Sequence, residues 1–304
     1  MLVLLFCRVA KLRFAATSVA VFLGFLLPIH LYTSAVAYRQ WDQPTSALLL
    51  TALLLVWTKP EVAGPGWLRP TAAIAVIGGV GGLFAPALPM VAVIAACALG
   101  ARHRDWRPAV LGTVLVICAM APWAVRNQLV LGAPVLTRSN FGLELAVGNH
   151  DGATGVFDLA TAPPIHPHDS IPAAERVTEV GEIRFMQEMR QRAMSWIQEH
   201  PLRFAELSMR RARMLLFPDQ ANGDPLFRRL KLPLLWMESG FAVLAFLLLA
   251  ARKQPLLPWL VCIGLPLAPY VLTHASERYA FPTYFAMVCL IAAGVDQLLQ
   301  RKHG

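Results

Sequence analysis

Apolar residues fall in blocks separated by short polar islands, at 15–38, 44–57, 71–84, 87–100 and 109–125 and again at 233–251, 256–273 and 279–299. A helix needs roughly 20 apolar residues to cross a hydrocarbon core about 30 Å thick, and most blocks approach that length. The block at 44–57 is short and reads as a tilted or partly sunken span. The stretch 71–100 is interrupted by Gly78-Gly79, Gly81-Gly82, Pro86 and Pro89, which predicts two short helices broken near 84–86. Such breakers are tolerated in membrane helices, where neighbouring groups satisfy the freed backbone. The pattern predicts an all-α polytopic membrane protein with five spans, a polar segment over 126–232, and three further spans within 233–304.

The polar segment carries its own periodicities. From 132 to 155 turn-forming residues dominate, which predicts a looped or short-stranded surface. The prolines of 163–169 predict an extended stretch. Ser170 followed by Pro172 opens a helix, with Val177, Val180, Ile183, Met186, Ala193 and Ile197 at helical spacing, until His200-Pro201 ends it. A second helix over 202–217 places Leu202, Ala205, Met209, Ala212 and Leu216 on one face and carries Arg203, Arg210, Arg211 and Arg213. A basic amphipathic helix of this kind lies on lipid headgroups or packs on its partner helix.

Composition sharpens this picture. Of 304 residues 57% are hydrophobic and 15% charged, which excludes a disordered chain and argues against a water-soluble domain. The net charge of +9 would suggest nucleic acid in a soluble protein. Here no recognition motif accompanies it, and the basic islands sit at the ends of apolar blocks, where they set orientation. Arg8, Lys11 and Arg13, then Lys59 and Arg69, then Arg102, Arg104 and Arg107, then Arg252-Lys253 and finally Arg301-Lys302 all fall on one side when crossings are counted from a cytoplasmic N-terminus. Both termini are therefore expected in the cytoplasm and 126–232 outside it, between the fifth and sixth spans. The opening 1–14 has its apolar residues before its cations, the reverse of a signal peptide, and reads as the tail of a helix that begins earlier. The five cysteines lie in apolar surroundings at no metal-ligand spacing and read as small buried residues.

Several short runs resemble a known family. Pro122-Trp123-Ala124-Val125-Arg126-Asn127, Phe141-Gly142-Leu143-Glu144-Leu145, Gly148-Asn149 and Ala153-Thr154-Gly155 resemble the region after the middle spans of bacterial family 39 glycosyltransferases, polyprenyl-phosphate-sugar-dependent membrane enzymes of the GT-C fold. The end of the first polar helix, Ala193-Met194-Ser195-Trp196-Ile197-Gln198-Glu199-His200-Pro201, is similar to that family's paired lumenal helices, and Glu277-Arg278-Tyr279-Ala280-Phe281-Pro282 resembles the motif opening a late span, in the same order. The resemblance implies a GT-C-like bundle in a bacterial inner membrane, a polyprenyl-phosphate sugar as donor, and an extracytoplasmic glycan, lipid or protein as acceptor. It also implies that the chain begins several helices into the fold, without the large first loop that carries the family's catalytic carboxylate. A non-catalytic module that binds lipid-linked sugar, or partners a separate catalytic subunit, is the alternative. A small-molecule transporter ranks third, because the spans carry almost no charge at their centres.

Sugar transfer from a lipid phosphate needs a carboxylate to take the acceptor's proton and cations to steady the departing phosphate. Arg126, Arg278, Arg39 and Arg138 lie at expected outer ends of spans, and arginine suits phosphate oxygens. For the carboxylate, Asp42 on the short first outer loop and Asp151 beside His150 are the candidates, with Asn127, Asn149, His274 and Glu277 in support. His166, His168 and Asp169 form a weak metal-like corner in a Pro-rich loop, and no metal site is assigned.

Overall fold

The computed structural model describes residues 2–9, 11–13, 16–19, 42–156, 163–219 and 225–300. Most of the expected span at 15–38, and Arg39 with it, lies outside the described residues. The helices, in chain order, are α1 (Leu2–Val9), α2 (Gln43–Thr58), α3 (Leu68–Gly81), α4 (Ala87–His103), α5 (Arg107–Leu131), α6 (Phe141–Gly148), α7 (Ile171–Val180), α8 (Glu182–Glu199), α9 (Pro201–Leu216), α10 (Pro225–Ala251), α11 (Leu257–Leu272) and α12 (Glu277–Gln300). Among the described residues there is no strand, only an isolated bridge between Val156 and Ala275.

Among the described residues three helical stretches are long and apolar enough to cross a membrane: Arg107–Leu131, Lys231–Ala251 and Glu277–Leu299. Four shorter apolar helices, α2, α3, α4 and α11, accompany them. α5 and α10 leave Val114, Ile117, Phe241, Leu244 and Leu247 exposed. Exposed apolar surface on helices of this length is stable only beside another apolar phase, and these features point to a membrane protein. The break expected near 84–86 falls between Gly81, where α3 ends, and Ala87, where α4 begins. Around it, small residues meet at helix crossings, Gly78 against Ala92 and Gly112 against Ala96, the close approach typical of helices packed in lipid.

The chain divides into two compact units. The first comprises residues 1–120, 219–266 and 280–304, and the second 121–218 and 267–279. The second unit has its own core, in which Leu143, Leu145, Ala146 and Val147 of α6 pack with Ala173 of α7 and Phe185 and Ala193 of α8.

Several expectations for the polar segment are corrected. The stretch 132–155 is not only looped: it contains α6. The prolines of 163–169 sit in turns closed by Ile165 N–H to Pro163 O and Asp169 N–H to His166 O. The single helix expected from Ser170 to His200 is two helices, so the described part of the segment has three amphipathic helices, α7, α8 and α9. Ser170 does cap α7, accepting from the Ala173 N–H, but the helix is interrupted at Gly181, where φ is +80° and ψ 159°. Residues at the right spacing on both sides of Gly181 made two apolar faces look like one. On α9 the face of Leu202, Ala205 and Met209 is exposed, while Leu207, Arg211, Met214 and Leu215 face the interior. Of the cysteines, Cys97 and Cys118 are exposed and Cys7, Cys262 and Cys289 buried, all unpaired.

Candidate functional site

The polar cluster of the second unit is assembled from three pieces of chain: the loop 132–140, helix α6, and the turn between α11 and α12. The loop is fixed first. Asn127, buried near the end of α5, donates through Nδ2 to Val135 O at 2.7 Å and accepts from Arg126 Nη1 at 2.9 Å. Arg126 also lies over the Trp123 ring, 5.2 Å from its centroid. The loop then delivers Arg138 and Asn140 to the start of α6. Asn140 Nδ2 donates to Glu144 Oε1 at 2.8 Å, so the glutamate is held in the first turn, where the helix dipole favours a negative charge.

Two glycines let α6 sit where it does. A Cβ on Gly142 would clash with the Met186 carbonyl of α8, and one on Gly148 with the Thr273 carbonyl after α11. The helix is thereby wedged between α8 and the α11–α12 turn, which brings Glu144 to His274. His274 is buried, its Nδ1 lies 3.7 Å from Glu144 Oε2, and its Nε2 is 3.2 Å from the Tyr279 hydroxyl. Arg278 Nη2 donates to the same hydroxyl at 2.7 Å, and Tyr279 stacks on Tyr270 with centroids 3.8 Å apart. Ala275 N–H donates to Gly155 O at 2.8 Å and ties this turn to 153–156.

The electrostatics follow from burial. Desolvation raises the Glu144 carboxyl above its usual range, against the pull of His166, Arg278, Arg138 and the Asn140 hydrogen bond. The same desolvation, joined by the nearby Arg278 and Arg211 charges, lowers His274 to about 4. A distance of 3.7 Å is too long for a hydrogen bond, and the carboxylate does not offset burial. His274 is neutral at physiological pH, and burial favours the protonated form of the neighbouring carboxyl. The acid-base pair is asymmetric, which is the arrangement proton-transfer sites use.

Behind the cluster stands Arg211, fully buried on α9. It donates to Gly148 O, to Asn149 Oδ1 at 3.2 Å, and to Leu272 O at 3.0 Å. Asn149 completes the junction, donating through Nδ2 to Leu145 O at 2.8 Å and Leu272 O at 2.9 Å. The backbone acceptors among them, at Leu145, Gly148 and Leu272, are terminal carbonyls of α6 and α11, which have no partner within their helices and carry the negative ends of both dipoles. Arg211 is thus a shared C-terminal cap for two helices. Burial lowers it only to about 10, so it stays charged. Its Nε–H, and the hydroxyls of Thr154 and Ser208, have no partner among the described residues.

Of the residues singled out from sequence, His274, Arg278 and Arg138 belong to this cluster, since Arg138 acts electrostatically on both Glu144 and Tyr279. Asn149 underlies it and Asn127 anchors its loop. Glu277 is buried at the N-terminus of α12. Arg126 is engaged by Trp123 and Asn127. Asp151 accepts from Trp196 Nε1 at 2.7 Å. Asp42 belongs to the first unit, where it precedes α2 without a side-chain capping bond. His166 Nδ1 accepts from the His168 N–H at 3.2 Å and lies 3.8 Å from Asp169, and no group of His, Cys, Asp or Glu able to hold a metal occurs among the described residues. Glu144 and Tyr279 were missed as site residues. The available signal was Glu144 standing alone in an apolar run between two glycines, Gly142 and Gly148.

No protein-family model matches the chain, and comparison with characterised proteins and with solved structures gives no match either. The functional reading rests on the residues themselves.

Proposed function

We propose that the chain is an integral membrane glycosyltransferase of GT-C type, or the C-terminal portion of one, that moves a sugar from a polyprenyl-phosphate donor to an acceptor outside the cytoplasm. Its membrane is the bacterial inner membrane, with both termini cytoplasmic and the second unit's polar helices outside, in keeping with the one-sided basic islands. The observation that carries the reading is the convergence of Glu144, His274, Arg278 and Tyr279 in one cluster, with Arg138 beside it.

In this reading Arg138 and Arg278 hold the donor phosphate. The acceptor hydroxyl attacks the anomeric carbon and passes its proton to Glu144. The bond from that carbon to the phosphate oxygen breaks, and polyprenyl phosphate leaves with the electron pair between the arginines. A carboxyl raised by burial is a better proton acceptor near neutral pH than an exposed aspartate. Neutral His274 and the Tyr279 hydroxyl orient the groups around it.

The test uses the full chain in proteoliposomes with a polyprenyl phosphate carrying labelled sugar. Glu144→Gln is expected to lower transfer by about 100- to 10,000-fold while donor binding persists. Arg278→Ala is expected to weaken donor binding. Binding without transfer by the wild type moves the assignment to the non-catalytic partner module, and absence of both binding and transfer overturns it.

A further inference from the structure

The first unit holds a cavity of about 670 Å³ among the C-terminal ends of α2 and α4, the start of α11 and the last turns of α12. Its wall is apolar and aromatic. Trp57 and Trp259 are both buried, and Trp259 meets Phe6 edge to face at 6.0 Å. Its margin is cationic. Lys59 caps the C-terminus of α2 and Arg102 lies in the last turn of α4, positions where a helix dipole favours positive charge. Neither cation has a carboxylate partner among the described residues. The one carboxylate in the wall, Asp296, is buried and already accepts the Arg13 backbone N–H at 2.9 Å.

An apolar pocket lined by two cations that have no carboxylate partner among the described residues, at the ends of two apolar helices, has the polarity of an amphiphile. Its volume falls within the roughly 300–1,000 Å³ of small-molecule sites, room for a headgroup and the upper part of an acyl chain. Tryptophan beside lysine or arginine is also the composition of a membrane-water boundary. We propose that this cavity binds a membrane phospholipid, with Lys59 and Arg102 on its phosphate and Trp57 and Trp259 against its glycerol and first acyl carbons. The lipid comes from the leaflet that faces the basic helix ends. The site is separate from the Glu144 cluster and does not depend on sugar transfer.

Native mass spectrometry of the full chain in non-ionic detergent tests this, with phosphatidylglycerol and diacylglycerol as competing probes. The wild type is expected to retain phosphatidylglycerol and to prefer it by about thirtyfold, the effect of two cations each worth about a factor of five near an anionic headgroup. Lys59→Gln with Arg102→Gln is expected to remove that preference. Ala98→Phe, which fills the cavity and leaves both cations, is expected to abolish retention, and it decides the matter if the double variant does not fold. Equal retention by wild type and double variant overturns the proposal, as does unchanged retention in Ala98→Phe. Displacement of the lipid by inorganic phosphate alone at equal concentration also overturns it, because the site would then recognise a free anion.

Discussion

In the first unit the hydroxyls of Thr51, Thr58 and Thr113 each donate to the carbonyl four residues earlier in the same helix, that of Thr71 donates to the carbonyl of Trp67 at the start of α3, and large apolar side chains of α5 and α10 remain exposed. In the second unit the decisive polar contacts join residues far apart in sequence, as Arg211 does with Gly148 and Leu272, and apolar side chains of α6 close on α7 and α8. The difference is the one expected between helices with an apolar surround and a unit rich in buried polar groups. A helix in hydrocarbon must satisfy its polar groups within itself, because water offers no alternative. A small polar unit can use buried charge to pin segments together, provided each carbonyl and donor is matched. In the first unit the threonine hydroxyls bond along their own helices, with the Arg13 N–H to Asp296 as a long-range exception, whereas the second unit is pinned by a buried network.

The largest test of that contrast is Arg211→Ala. It leaves the buried Gly148 carbonyl and Asn149 Oδ1 without the Arg211 donors, while Leu272 O keeps Asn149 Nδ2, and two orphaned buried acceptors at about 1 to 3 kcal/mol each put the loss at roughly 2 to 6 kcal/mol. Hydrogen exchange in nanodiscs should show protection lost across 141–149 and 270–276, with the helices of the first unit unaffected. Arg211→Lys should recover part of the loss, since it keeps the charge and loses the fork. Uniform loss of protection across both units would show that they do not differ in this way.

The same contrast explains what could be read from sequence. The helices over the described apolar blocks, the break near 84–86, the Ser170 cap and the His200-Pro201 break are local, set by residues within a turn or two of one another, and among the described residues they lie where the pattern put them. Gly181 escaped because a lone glycine between two in-phase apolar faces leaves the periodicity intact. Helix α6 escaped because Gly142 and Gly148 read as turn formers, whereas their role is to admit the carbonyls of Met186 and Thr273. His274, Arg278 and Arg138 could be nominated as polar residues at the ends of spans. That Glu144 meets them depends on a contact across 130 residues, and no local pattern encodes it. Arg211 stood out only as one arginine among four on a basic helix.

A smaller effect separates the two titrating members of the cluster. His274 sits at about 4 in the folded protein against 6.5 when unfolded, so the unfolded chain binds more protons between those values. Its stabilising contribution is complete above 6.5 and is lost as pH falls toward 4, by at most roughly 3 kcal/mol. His274→Asn should flatten the acid side of a stability-pH curve measured by thermal unfolding. Glu144 has the opposite sign: its carboxyl is raised, so its contribution is present at low pH and is lost as pH rises above the ordinary 4.5. Glu144→Gln removes that opposing trend and should leave the acid-side decline steeper. A curve unchanged by either variant would mean that neither group is buried as the cluster requires.

The smallest expected effect comes from Asp151, the acidic residue of the second unit that the sequence alone favours. It lies on an exposed turn and holds the Trp196 indole, which stacks on His200 at 5.0 Å. Asp151→Asn keeps an acceptor at nearly the same place and removes only the charge. An exposed hydrogen bond of this kind should change stability by less than about 1 kcal/mol. Transfer from the labelled donor should stay within about twofold of wild type, since a shift in rate of that size corresponds to well under 1 kcal/mol. If Asp151→Asn abolishes transfer at unchanged stability while Glu144→Gln does not, the proton acceptor is the exposed turn and not the buried network. The chemistry would then sit at the surface of the second unit, and its interior would serve only to hold helices together.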